Sequence, residues 1–338
     1  MTFLQVLWFI LIGVLFSGFF LLEGFDYGVG FLHLFLGRNK AERDQIMATI
    51  DPIWDGNEVW LLTAGGAIFA SFPKWYAALF SGFYIPLFVV LAGLILRGVC
   101  FAFRHFSETD KGKAFWDKVF GVSNILPPFF LGMIFTAMVA GMPMDEKGNI
   151  YAGFADYVTP FSVVGGVAVF LLCLLHGLNY LTLKTEGPVR DRAYEWAKKL
   201  YLVLFAGLVA FAVLLYLSTD FFQVHLVSTL VIVVLIVLLS VFATISVYKR
   251  EELKAFIASG LTLVSVVLLL FTGLFPRVMV SSLDPSLSLT IAEASSTPYT
   301  LMTMTIVTVI VLPFVLVYQG WALNFFKARV GLQKSEEK

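Results

Sequence analysis

The sequence predicts an all-α integral membrane protein, and three features of its 338 residues predict it. Hydrophobic residues make up 59% of the chain and charged residues only 14%, well short of the roughly one quarter found in soluble domains. The apolar residues are gathered into runs long enough to cross about 30 Å of hydrocarbon as helices. Of the 23 Lys and Arg, all but Lys74, Lys147 and Arg277 sit at the ends of runs 1, 3, 5 and 7, in the connections that follow them, or at the C-terminus.

Nine spans are expected, over residues 3–36, 50–72, 77–103, 116–141, 157–183, 194–217, 224–248, 252–275 and 297–329, in one polytopic domain covering 1–338. The first begins at Phe3, is too long for the core of a signal peptide and has no small-residue cleavage site. It and the ninth exceed the need, so both are expected to tilt or project. Pro127 and Pro128 remove two ladder donors from the fourth span and should kink it. An odd number of crossings puts the termini on opposite sides, and the basic excess then places the N-terminus outside and the C-terminus in the cytoplasm. Leu32-His33-Leu34, followed by Arg38 and Arg43, is echoed by Leu175-His176-Gly177, followed by Arg190 and Arg192. The echo points to a four-plus-four duplication with a ninth helix added.

On the outer side, residues 142–157 form a short polar loop without a readable motif. Residues 275–300, rich in Ser, Thr and Pro, are expected to form an ordered loop that partly covers that face, as a partner-docking element or a plain connector. Formal net charge is zero and no basic tract occurs, so nucleic acid is excluded as a partner. Cys100 and Cys173 lie in apolar runs and read as small core residues.

The informative residues are the acids within the first two runs. A carboxylate near the bilayer centre costs about 2.5–3.5 kcal/mol on insertion scales, and Glu23, Asp26, Asp55 and Glu58 repeat that cost four times. Spacings of three put each pair on one helix face. With Arg97, near the inner end of the third span, they are expected to converge in the cytoplasmic half. Two readings stand. The group is a buried ion-pair knot locking three helices, or a wet path for protons in which some acids are protonated because one arginine cannot balance four carboxylates. Gly24, Gly28, Gly65 and Gly66 are expected to allow close helix packing around it. Of the four histidines, His105 and His225 read as solvated. His33 and His176 lie at comparable depth and read as interfacial or internally satisfied in preference to a bis-imidazole haem pair.

The motifs GFDYGVG (24–30), PIWDGNEVWLLTAGGAIFASFP (52–73), FSGFY (80–84), LRGVCFAFR (96–104) and the tract 275–304 together resemble subunit II of the cytochrome bd quinol oxidases. The resemblance extends over essentially the whole chain, and the WDGNEVW block is its most specific part. It implies a bacterial cytoplasmic-membrane protein paired with a homologous subunit I. That partner is implied to carry two b haems, haem d and the quinol-oxidising loop, the complex reducing dioxygen to water with cytoplasmic protons. Small single-span accessory subunits and a structural quinone or lipid within subunit II occur in relatives. Carried over by motif, Asp26, Asp55 and Arg97 are implied to line a hydrophilic path toward the haem site. On this reading the two aspartates are relay carboxylates, Arg97 tunes them, and Asn57, with Trp54 beside it, fixes the local hydrogen bonding. Glu23 stands where some relatives have aspartate and Glu58 where some have glutamine. No haem ligand is implied in this chain. The rival reading is a stand-alone proton-coupled secondary transporter, for which a duplicated fold with buried carboxylates serves equally well. A purely structural scaffold is the third reading, in which activity is insensitive to every acid.

Overall fold

The computed structural model describes residues 1–332; Lys334 and Lys338, counted with the basic side above, lie outside the described residues. The chain is helical over most of its length. Thr2 and Gln5 close a capping box at the start of α1 (Phe3–Leu36), whose limits match the expected first span. There follow α2 (Lys40–Met47), α3 (Trp54–Ser71), α4 (Pro73–Gly82), α5 (Tyr84–Phe106), α6 (Asp110–Ser123), α7 (Leu126–Ala140) and the single turn α8 (Phe154–Tyr157). The second half comprises α9 (Pro160–Lys184), α10 (Pro188–Ser218), the turn α11 (Phe221–Val224), α12 (Leu226–Tyr248), α13 (Glu252–Leu274), the turn α14 (Ile291–Ala294) and α15 (Pro298–Phe325). Proline opens α4, α9, α10 and α15 at their first turn, where its missing N–H costs nothing.

Among the described residues, eight helical units are long and apolar enough to cross a membrane: α1, α5, the α6–α7 unit Asp110–Ala140, α9, α10, α12, α13 and α15. The expected second span is not among them: 50–53 form turns, and the helix from Trp54 is long enough at 18 residues but too polar, because Asp55, Asn57 and Glu58 fall in its first two turns. The expected third span is interrupted at Phe83, where α4 ends and α5 begins. In the fourth, the break falls at Asn124–Ile125, and Pro127 lies in the first turn of the new helix α7 rather than kinking a continuous one.

The Lys- and Arg-rich connections gather at one end of the bundle, hereafter the basic end. Arg104 pairs with Asp44 (2.7 Å) and Asp117 (2.5 Å), Arg192 pairs with Glu42 (2.5 Å), and Arg190 and Arg329 meet Glu252. At the opposite end the 275–300 segment is ordered. Its strands β1 (Arg277–Met279) and β2 (Leu289–Thr290) pair antiparallel, and Ser281 is bridged to Met142 of the 142–157 loop. Ser296 N–H donates to Ser71 O (2.8 Å) at the end of α3, so the segment caps this end of the bundle. Arg277 grips Asp220 through two parallel hydrogen bonds of 2.7 and 2.8 Å. His225, expected to be solvated, instead has Nε2 2.6 Å from Phe275 O.

The two halves meet where α1 crosses α9. A Cβ on Gly28 would lie 2.1 Å from Cys173 O, and one on Gly177 would lie 2.7 Å from Gly28 Cα. Small residues permit this approach in the absence of a hydrophobic drive between helices. Gly28→Ala is expected to destabilise the protein by about 1–3 kcal/mol through overpacking, read as a lower melting temperature in detergent. An unchanged melting temperature would remove the crossing from the account. Gly65 and Gly66, by contrast, face open space and do not form the packing face expected of them. Cys100 and Cys173 are free and buried.

Candidate functional site

The site is assembled at Arg97, a fully buried arginine delivered by α5. Glu23 and Asp26, one turn apart on α1, are equally buried. The guanidinium contacts the Glu23 carboxylate directly and lies 3.7 Å from Asp26 Oδ2 and 3.7 Å from Glu58 Oε2, from α3. Its carbon stands 5.1 Å from the ring centre of Tyr27 and 5.6 Å from that of Trp54, so aromatic faces take up part of the desolvated charge. Trp54 is itself stacked on Phe101, at 4.9 Å and 10°. Asn57 donates from Nδ2 to Asp26 Oδ2 (2.8 Å) and accepts at Oδ1 from Gln319 Nε2 (3.1 Å), joining α1, α3 and α15 through one side chain.

Charge counting sets the chemistry. Three carboxylates share one guanidinium, and removing any ion from water costs several kcal/mol unless it is paired. Asp26 Oδ1, Glu23 Oε2 and the Tyr27 hydroxyl are buried without a hydrogen-bond partner. Glu58, whose side chain is 20% exposed, opens the group outward. It is the one charged residue lining a cavity of about 580 Å³ between α3, α4, α5 and α7, into which Gly65 and Gly66 also face. The cluster therefore has a buried interior at Asp26 and Glu23 and an open edge at Glu58.

The structure thus brings together Glu23, Asp26, Glu58, Arg97, Trp54 and Asn57. Asp55 does not join them: it is exposed, and its carboxylate accepts from the Gly56 N–H (2.8 Å). At about 100° per residue, Asn57 facing inward puts Asp55 some 200° away, while Glu58 lies 100° away on the flank. Gln319 and Tyr27 are members that sequence reasoning missed. Gln319 had only its polarity within an apolar run to mark it.

His33 and His176 are both fully buried rather than interfacial, and they do not form an axial pair. His33 Nδ1 lies 2.7 Å from Gly30 O, and Nε2 faces Asp117 at 3.5 Å. His176 is held between Ser259 Oγ (2.8 Å) and Leu21 O (3.0 Å), with Phe256 stacked on its ring. Both ring nitrogens of His176 are held by protein atoms, so it is not available as a haem ligand, and His33 faces Asp117 rather than a second imidazole. No group of three or more His, Cys, Asp or Glu suited to a metal ion occurs among the described residues.

Residues 4–326 match the family described as cytochrome bd terminal oxidase subunit II. The chain belongs to this family. It is 46% identical over 330 residues to cytochrome bd ubiquinol oxidase subunit 2 of Bacillus subtilis, covering 98% of each chain. It is 33% identical over 353 residues to cytochrome bd-I ubiquinol oxidase subunit 2 of Escherichia coli, covering 94% of this chain and 93% of the relative. The fold is similar to that of a chain in the bd oxidase structure from Geobacillus thermodenitrificans, with a TM-score of 0.79 at 17% identity, over 96% of this chain and 99% of the other. As a cytochrome bd subunit II, the protein is a multi-pass membrane component of a quinol oxidase, an oxidoreductase complex of respiratory electron transport.

Proposed function

We propose that this chain is the non-haem-ligating subunit of a bd-type quinol:oxygen oxidoreductase, and that it supplies a cytoplasmic proton-entry path to a haem-bearing subunit I. The observation that carries the reading is the single buried guanidinium shared by Glu23, Asp26 and Glu58. Hydrocarbon does not hold two uncompensated anions, so protons or water must make up the difference, and both are what a proton path requires. Glu58 at the edge of the cavity is the step inward, Asp26 the inner relay, and Asn57 holds Asp26 in place. Asp55 is the outermost acid of the path, one turn before Glu58 on α3.

The partner surface follows from exposure. On α15 only Leu301 is buried, and α3 and α5 present Val59, Leu62, Ile85, Phe88 and Ile95 outward beside the exposed Asp55. A carboxylate on an apolar face is costly against lipid and acceptable against a second protein with trapped water. Subunit I, homologous to this chain, is the proposed occupant, with haem b, haem d and quinol oxidation on its side. In this arrangement α3 is a ninth crossing, about 27 Å long at 1.5 Å per residue. The basic end is then cytoplasmic, as the positive-inside bias requires, and the N-terminus is outside. The four-plus-four duplication stays within the proposal, supported by the central pairing of the first and fifth spans, α1 and α9. The cavity beside Glu58 has the size and apolar walls to take a quinone tail or a lipid chain.

Affinity purification of this chain from its native membrane is expected to bring down a coloured partner with b- and d-type haem absorption. A colourless chain purified alone, competent in proton-coupled uptake, would replace this reading with that of a secondary transporter.

A further inference from the structure

The face of α1 that carries Glu23 and Asp26 continues toward the basic end through Gly30 and His33, at spacings of three, four and three. His33 lies seven residues beyond Asp26, about 10 Å along the helix. Nothing in the path described above uses it. Its Nδ1 is 2.7 Å from Gly30 O, a group that only accepts, so Nδ1 carries a hydrogen. Nε2 is therefore the atom free to gain or release a proton, and it has no hydrogen-bond partner. The nearest charge is Asp117 of α6, 3.5 Å away and itself held by Arg43 of α2 (3.0 Å) and Arg104 of α5 (2.5 Å). Asp117 thus sits between two guanidinium groups with its Oδ1 turned toward Nε2. Arg104 leads on to Asp44 of α2, whose side chain is 40% exposed at the basic end. The remaining close neighbour of the ring is Phe120, with ring centres 5.3 Å apart.

Between His33 and Asp26 lies a second unsatisfied group. Asn124 sits over Gly30 so closely that a Cβ there would fall 2.2–2.4 Å from its side-chain atoms. Its Nδ2 donates to Phe120 O (2.7 Å), while Oδ1 is buried without a partner. Asp26 Oδ1, Asn124 Oδ1 and His33 Nε2 thus form a column of orphaned polar atoms along one helix face. Such atoms call for bridging water or a shared proton.

We propose that His33 is a proton-loading residue on a second limb of the path, which reaches Asp26 from the basic end along α1, independently of Asp55 and Glu58. This rests on the proton-entry reading above and extends it. A proton arrives from solvent near Asp44, binds His33 Nε2 against Asp117, and leaves from the same atom, through water at Asn124 Oδ1, to the Asp26 carboxylate. Asp117 is a positioning residue, and Asn124 keeps the middle of the column polar.

The test uses the complete oxidase in liposomes, with single-turnover proton uptake followed by a pH dye on the basic side, oxygen consumption, and haem spectra as the check on assembly. His33→Gln is expected to slow proton uptake about tenfold at unchanged haem content, less than the roughly 100-fold or more for a sole positioned proton carrier because the Glu58 limb stays open. Imidazole added to His33→Gly should restore part of the rate and pyrazole, a ring of the same size but far weaker basicity, should not; equal rescue by both would mark a packing defect and overturn the proposal. Asn124→Leu, which leaves the ion pairs intact, should slow uptake as well. Wild-type uptake in His33→Gln with Asp26→Asn impaired would overturn the second limb and leave the proton-entry function standing. Wild-type uptake in both would overturn the function itself. Should His33→Gln lose its haems, Asn124→Leu decides, and wild-type uptake there overturns the proposal.

Discussion

Asp26→Asn is expected to slow oxygen reduction by the assembled oxidase about 100-fold, the lower end of the range for losing a positioned proton-transfer group. Haem content should be unchanged. The asparagine keeps the shape of the aspartate and its carbonyl still accepts from Asn57 Nδ2, so the bridge from α1 through α3 to Gln319 survives. Arg97 retains Glu23 in direct contact and is not left unpaired. What disappears is the Asp26 carboxylate, the inner relay, while Glu23 stays bound to the guanidinium. The measurement is steady-state oxygen consumption normalised to haem, with the pH profile recorded alongside. Turnover equal to wild type would show that the carboxylates are a structural knot, the alternative that the sequence left open. Asp55→Asn should also slow turnover at intact haem content, and its effect should be smaller, because that side chain lies outside the cluster.

Arg97→Leu is expected to abolish accumulation of the complex rather than to slow it. Three buried or half-buried carboxylates would lose their only cation, and breaking a buried pair in this way costs about 3–5 kcal/mol. That is a factor of 100 or more in the folded ratio and a large share of the roughly 5–15 kcal/mol that holds an ordinary domain together. The aromatic faces of Tyr27 and Trp54 would be left around a void. Arg97→Lys restores the charge as a point without the planar fork that spans Glu23, Asp26 and Glu58, so it should recover part of the assembly and less of the activity. Subunit level and haem absorbance in membranes check both variants. Normal levels of Arg97→Leu would mean that the acids are neutral in the resting protein and that the guanidinium is dispensable.

Much of this architecture was legible because the bilayer punishes exceptions. The limits of α1 follow from an unbroken apolar run, and Glu23, Asp26, Glu58 and Arg97 announce themselves as charges where hydrocarbon allows few. The break at Phe83 was signalled by Gly82 at the end of α4 and Pro86 in the first turn of α5, a stop-and-start pair masked by the apolar residues on both sides. Asp55 was misplaced for a rotational reason. Its spacing of three from Glu58 is compatible with an inward face, but only one of Asn57 and Asp55 can point inward, and nothing in the sequence says which. The pairing of His33 with Asp117 joins residues 84 positions apart, and no local pattern encodes such a contact.

The way α15 is anchored has a consequence for the protein before assembly. Along its length this helix is tied to the bundle by Trp8, which donates to Leu301 O and Thr305 Oγ1, and by the amide of Gln319, while the chain at and just beyond its end is clamped by Lys184, Gln45 and Glu252. Little apolar packing backs those ties, so an unmated copy holds its last helix at the two ends and by one amide between them, leaving its flank bare until a neighbour covers it.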